Sequence, residues 1–259
     1  MPDARNTTAS RALPRHLGLV GLWLLVVNGL IGAGIFGLPG GAAKLAGEYS
    51  PLIYLFCALL ILPILLCMAE LASYFRDSGG PVRYGTAAFG PFVGFQAGWL
   101  YYLARVVSVA ANSALLVDSI SYFWPEASIT LWRTFILAAI CAGFTFINVA
   151  GAVQSIRTLG VLTIAKFGVL LLLVGVGIWQ YQPPVTDSFL VAKSTDLNLD
   201  LGAATLLMVY AFVGFESAVV PAGEAKNPRR DIPRALLLGL AMVTVLYMLV
   251  QWVSMATVP

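Results

Sequence analysis

Seven apolar segments, each about as long as a bilayer is thick, follow one another along this 259-residue chain. They cover residues 17–46, 51–75, 91–120, 128–149, 156–179, 199–222 and 233–258. About 20 apolar residues cross the hydrocarbon core as an α-helix. Lipid cannot hydrogen-bond a free backbone, so only helices or closed barrels span it, and segments of this length are helices. The chain is therefore an all-α integral membrane protein. Its composition agrees: 59% of residues are hydrophobic and 10% charged, against roughly 45–50% and about 25% in a soluble domain.

Inside the first segment the chain resists the helix that its length demands. Residues 28–41, Asn28 to Gly41, hold six glycines and Pro39. Glycine costs a helix interior about 1 kcal/mol relative to alanine, and proline about 3 kcal/mol. A break is expected here, and at membrane depth its freed N–H and C=O groups need polar partners. The sixth segment repeats the pattern: Tyr210 to Gly223 places Gly214, Glu216 and Ser217 in mid-span and ends on Pro221 and Gly223. Two interrupted hydrophobic segments, one early and one five spans later, point to an inverted-repeat transporter with its site between the breaks.

Charge placement orients the chain. With the N-terminus in the cytoplasm, the inner side collects Arg5, Arg11, Arg15, Arg76, Arg83, Arg157, Lys226, Arg229, Arg230 and Arg234. The outer side receives Lys44, Arg133 and Lys193. This is the positive-inside pattern. A seven-helix receptor, with its N-terminus outside, is opposed by it. Residues 1–16 read as a cytoplasmic tail and 180–198 as an extracellular or periplasmic loop.

Arg105 and Lys166 fall within spans. A charge at the bilayer centre costs at least about 2.5 kcal/mol on insertion scales, so each should face protein or water. Arg105 shares a helix face with Ser108 and Asn112, a polar stripe suited to lining a cavity. Lys166 has no partner on its own helix, so its acceptor must come from another element. Cys57, Cys67 and Cys141 lie in apolar runs and read as small buried hydrophobes. The only histidine is His16, in the tail, and there is no Cys-x-x-Cys, so no metal site is expected. The spans lack His-Glu-x-x-His, Gly-x-Ser-x-Gly and any histidine, which argues against an intramembrane enzyme. No ring or file of polar side chains suggests a channel.

Four stretches together resemble the amino acid–polyamine–organocation transporter superfamily. They are Asn28 to Phe36; Ser78-Gly79-Gly80-Pro81 with Phe89-Gly90 and Gly98-Trp99; Asn148 to Gly151 leading to Thr163 and Lys166; and Ala211 to Glu216 running into Gly223 to Arg234. The resemblance implies a leucine-transporter-type fold of two inverted five-helix repeats, in which the first and sixth helices are discontinuous. Residues 17–179 would form the first repeat and 199–259 the start of the second, leaving that repeat incomplete; the missing helices are expected in a full-length chain, since this one reads as a fragment or a truncated gene model.

The resemblance also implies roles. The substrate carboxylate would lie against the N–H groups of Gly32, Ala33 and Gly34, and its ammonium against the carbonyls of Ile31, Tyr210 and Val213. Tyr210 would be the aromatic gate. Lys166 would stand where sodium-coupled proteins of this fold hold sodium, implying sodium-independent exchange or proton coupling. Lys166 and Glu216 are the candidate proton carriers, because burial penalises the charged form of either. Arg105 replaces the small neutral residue found in exchangers of cationic substrates; it would either disfavour cationic substrates and contact an anionic group, or pair with Glu216 or a residue outside this chain and never meet substrate. No cofactor is implied. The expected function is secondary active transport of an amino acid or amine across the cell (inner) membrane. Sodium coupling on the same fold, or service as a non-transporting membrane partner, are the alternatives.

Overall fold

A computed structural model of the chain describes residues 17–32, 34–75, 78–149, 152–180 and 200–257, with side chains not described at 152–159 and 257. The tail, the loop at 180–198 except Gln180, and Ala33, Arg76, Asp77, Ala150 and Gly151 therefore lie outside the described residues. Nine α-helices are found among those described: α1 (Leu19–Leu30), α2 (Gly34–Ala46), α3 (Ser50–Tyr74), α4 (Pro81–Phe89), α5 (Pro91–Phe123), α6 (Thr130–Val149), α7 (Ala152–Gln180), α8 (Leu201–Val209) and α9 (Pro228–Thr257). Among the described residues, six stretches are long and apolar enough to cross a membrane.

The first apolar segment accounts for the difference between those six and the seven expected. It divides into α1, only 12 residues long, and α2. From α2 the chain passes through a 3-10 turn at Gly47–Tyr49 into α3, so Gly34–Tyr74 forms one apolar stretch of 41 residues. Gly47, at φ 52°, permits this change of direction. Pro51 then occupies the first turn of α3, where its missing N–H would have had no helical partner. Pro63 lies within α3, which continues past it to Tyr74.

Two further differences concern helix limits. The stretch between the second and third apolar segments is itself partly helical: α4 begins on Pro81 and ends at Phe89, and Gly90, at φ 89°, turns the chain into α5. The last helix starts at Pro228, five positions before the expected apolar boundary, because its first turns carry Arg229, Arg230 and Asp231. Charged turns outside the hydrocarbon are still helix.

α9 stands at the centre of the packing, against α1, α3 and α7. The buried core draws Leu22, Val26 and Leu30 from α1, Tyr54 and Leu65 from α3, Met208 from α8, and Leu236 and Tyr247 from α9. The rings of Tyr54, Phe212 and Tyr247 pack on one another with centroids 5.5–6.3 Å apart. A Cβ on Gly239 would collide with Val26, so the missing side chain sets the α1–α9 spacing. α6 buries none of its side chains, and α5 buries only Gly94, Ser113 and Val117. Their apolar faces point outward, as lipid or further protein allows.

Candidate functional site

The break between α1 and α2 is a turn of known type. Ile31 has φ −77° and ψ 81°, the inverse γ conformation. The Gly32 N–H accordingly donates to the Leu30 carbonyl at 2.9 Å. α2 restarts at Gly34, leaving its first-turn N–H groups without helical acceptors.

The second break follows α8. Asp200 starts this helix by accepting from the Ala203 N–H at 2.8 Å, an N-cap. After nine residues the helix gives way to 3-10 turns at Tyr210–Phe212, Phe215–Ala218 and Ala222–Glu224, and no α-helix resumes before Pro228. Gly214, at φ 124°, occupies a conformation that side chains disfavour.

The two breaks meet backbone to backbone. A Cβ on Gly29 would strike the Gly214 carbonyl oxygen, and one on Gly214 would strike that of Gly29. Ser217 Oγ donates to the Gly214 carbonyl at 2.7 Å and lies 3.4 Å from that of Leu25. Tyr247 Oη reaches both breaks from α9, donating to the Leu30 carbonyl at 2.7 Å, with the Ala211 carbonyl at 3.3 Å. Thr163 Oγ1 donates to Asn28 Oδ1 at 2.9 Å.

Lys166 completes the arrangement. Its Nζ donates to the carbonyls of Asn28 at 2.8 Å and Ile31 at 2.6 Å. These are carbonyls at the end of α1 whose helical N–H donors are removed by the break. The partner that the lysine needed from another element is thus the broken helix itself. Ile31, a candidate for the substrate ammonium, already accepts from Lys166, and its oxygen has a second lone pair for another donor.

Arg105 lies on α5 and pairs with Glu216, Nη2 to Oε1 at 2.6 Å. The same nitrogen donates to Tyr101 Oη at 2.9 Å, and the guanidinium carbon sits 4.8 Å from the centre of that ring. The other oxygen of Glu216 accepts from the Gly214 N–H at 3.0 Å. Of the polar stripe expected with Arg105, Ser108 is half-buried and Asn112 exposed. Tyr101, one turn before Arg105, is the stripe's true continuation.

Of the other candidate residues, Gly32, Tyr210 and Val213 are exposed and Gly34 is partly so. A Cβ on Gly34 would stand 4.0 Å from Tyr210 Cδ1, so the proposed gate lies over the start of α2. A cavity of about 450 Å³ between α2, α7 and α9 is lined mainly by apolar groups, including Phe36, Leu170 and Val250. It contains none of the candidate residues, and its chemistry offers little to a zwitterion. Tyr247 was not singled out from the sequence; a hydroxyl in an otherwise apolar span was the available signal.

A family of amino acid permeases matches residues 17–259. The chain belongs to this family. It is 28% identical over 269 residues to a branched-chain amino acid permease of Bacillus subtilis, which covers 98% of this chain and 57% of that one. It is 30% identical over 239 residues to a cadaverine/lysine antiporter of Escherichia coli, covering 90% and 52%. With an arginine/agmatine antiporter of Chlamydia felis it shares 26% over 254 residues, covering 92% and 51%. The chain thus spans about half the length of these relatives. They are transporters rather than enzymes, and the chain is a member of the amino acid–polyamine–organocation superfamily.

Proposed function

We propose that this permease-family chain forms the substrate-binding part of a sodium-independent secondary transporter of amino acids. The observation that carries the reading is the pair of chain breaks in contact at Gly29 and Gly214, with Lys166 holding the carbonyls of the first. Substrate lies between the breaks. Its carboxylate faces the N–H groups at Ala33 and Gly34 and the positive end of α2, and Gly32 joins them if its turn onto Leu30 opens. Its ammonium is met by the carbonyls of Ile31, Tyr210 and Val213, and Tyr210 closes over it.

The Lys166 ammonium occupies carbonyls that would otherwise suit a small cation, which supports exchange or proton coupling over sodium coupling. Of the two proton candidates, Glu216 is engaged by Arg105, and Lys166 is the better placed. The protein sits in the cell membrane with its N-terminus in the cytoplasm, on the positive-inside distribution of its arginines and lysines. The remaining helices of an inverted second repeat complete the scaffold, as the half-length match to the relatives suggests. The branched-chain relative supports amino acids as substrates, and the two antiporters support exchange.

Calorimetric binding to the full-length protein tests this reading against a panel of neutral, acidic and basic amino acids. At least one member should bind saturably, and Tyr210→Ala should weaken it about tenfold or more, the ratio that about 1.4 kcal/mol produces. No binding by any member, or binding indifferent to Tyr210→Ala, overturns it.

A further inference from the structure

We propose that the Arg105–Glu216 ion pair selects substrates whose side chains carry no net charge. The inference rests on the reading above, that an amino acid binds between the two breaks, and adds the class of amino acid. Glu216 belongs to the second break: its carboxylate is tied to the N–H of Gly214, the neighbour in sequence of the candidate contact Val213. Arg105 comes from α5, a separate wall, and the two side chains join at 2.6 Å.

The physical argument concerns what either charge would do alone. An unpaired guanidinium beside the site attracts carboxylates and repels cations, and an unpaired carboxylate does the reverse. Joined, they cancel at short range, and the ion pair presents a dipole with no net charge to attract or repel a charged side chain. Glu216 keeps only 17% of its side-chain surface exposed and has its two oxygens on Arg105 and Gly214, so it offers little to a second cation. Arg105 retains 40% exposure, but its Nη2 is shared between Glu216 and Tyr101, and the Tyr101 ring lies against the guanidinium. A substrate with a charged side chain would have to break this pair to gain a partner, and breaking a partly buried pair leaves the other charge uncompensated. A neutral side chain leaves it intact.

The proposal predicts opposite changes from its two halves. In the full-length protein, competition for binding is measured at neutral pH with leucine, glutamate and lysine as probes. The wild type should prefer leucine to both others. Glu216→Gln, which frees Arg105, should move preference toward glutamate by about tenfold or more, and Arg105→Gln should move it toward lysine by a similar factor. The exchange variant Arg105→Glu with Glu216→Arg keeps the pair and should restore leucine preference, separating charge balance from loss of folding. Thermal unfolding is followed in parallel, and the Tyr101→Phe variant, which keeps both charges, should retain the wild-type ranking.

Binding of amino acids with the same ranking in every variant overturns the pairing inference while leaving the transport reading intact. Wild-type preference for lysine or glutamate does the same. Failure of every probe and of the wider panel to bind overturns the transport reading itself.

Discussion

Lys166 Nζ sits 2.6 Å from the Ile31 carbonyl oxygen and 2.8 Å from that of Asn28, so a cation delivered from α7 holds the broken end of α1. Removing it leaves two carbonyls short of a partner in a region that lipid cannot hydrate. A buried polar group left unsatisfied costs about 1–3 kcal/mol. Lys166→Met, which keeps most of the volume, should therefore lower the thermal unfolding midpoint in detergent by several degrees. An unchanged midpoint would mean that the lysine does not support the break.

The contact between Gly29 and Gly214 predicts a sharp contrast among neighbouring glycines. A methyl group at Gly29 meets the Gly214 backbone, whereas one at Gly32 meets nothing within 4 Å. Overpacking costs typically about 1–3 kcal/mol, and backbone cannot yield as a side chain can. Gly29→Ala should reduce the yield and stability of folded protein by that order, and Gly32→Ala should leave both near wild type. Ligand binding should weaken in Gly32→Ala, since the added methyl stands where substrate is proposed to approach. Equal stability of the two variants would contradict the contact.

Two tyrosines of α3 and α9 pack ring to ring with centroids 5.5 Å apart, yet their hydroxyls differ. Tyr247 Oη donates to the Leu30 carbonyl, while Tyr54 Oη is buried with no hydrogen-bond partner among the described residues. Tyr247→Phe should destabilise by about 1–2 kcal/mol. Tyr54→Phe should be neutral or stabilising, because it removes a desolvated hydroxyl that finds no partner among the described residues. Unfolding midpoints of the two variants, compared in one detergent, check the order.

Much of this arrangement was readable in the chain before its structure. Glycine and proline density marked both breaks, since these residues oppose a helix wherever they fall. Arg105 and Lys166 stood out because a charge in a span needs a reason. What the residues could not disclose was which distant elements meet: that Lys166 reaches Asn28 and Ile31, or whether Arg105 turns to Glu216 or to an anionic group of the substrate. The Arg105–Glu216 pair was one of two readings, and only three-dimensional placement decides between them. The length of α9 escaped because hydropathy follows the hydrocarbon slab, while a helix beginning at Pro228 continues through charged turns beyond it. The run of 3-10 turns after Val209 escaped for another reason. Gly214, Pro221 and Gly223 forbid a regular α-helix without specifying what replaces it.

Flux through the full-length protein in proteoliposomes tests the central claim most directly. Counterflow of the tightest-binding amino acid, labelled with a radioisotope, is measured with sodium present and with choline in its place. The account predicts saturable counterflow at the same rate in both media, reduced about tenfold or more by Lys166→Ala in protein that still binds substrate. Counterflow that requires sodium, or that persists unchanged in Lys166→Ala at every pH tested, would contradict it.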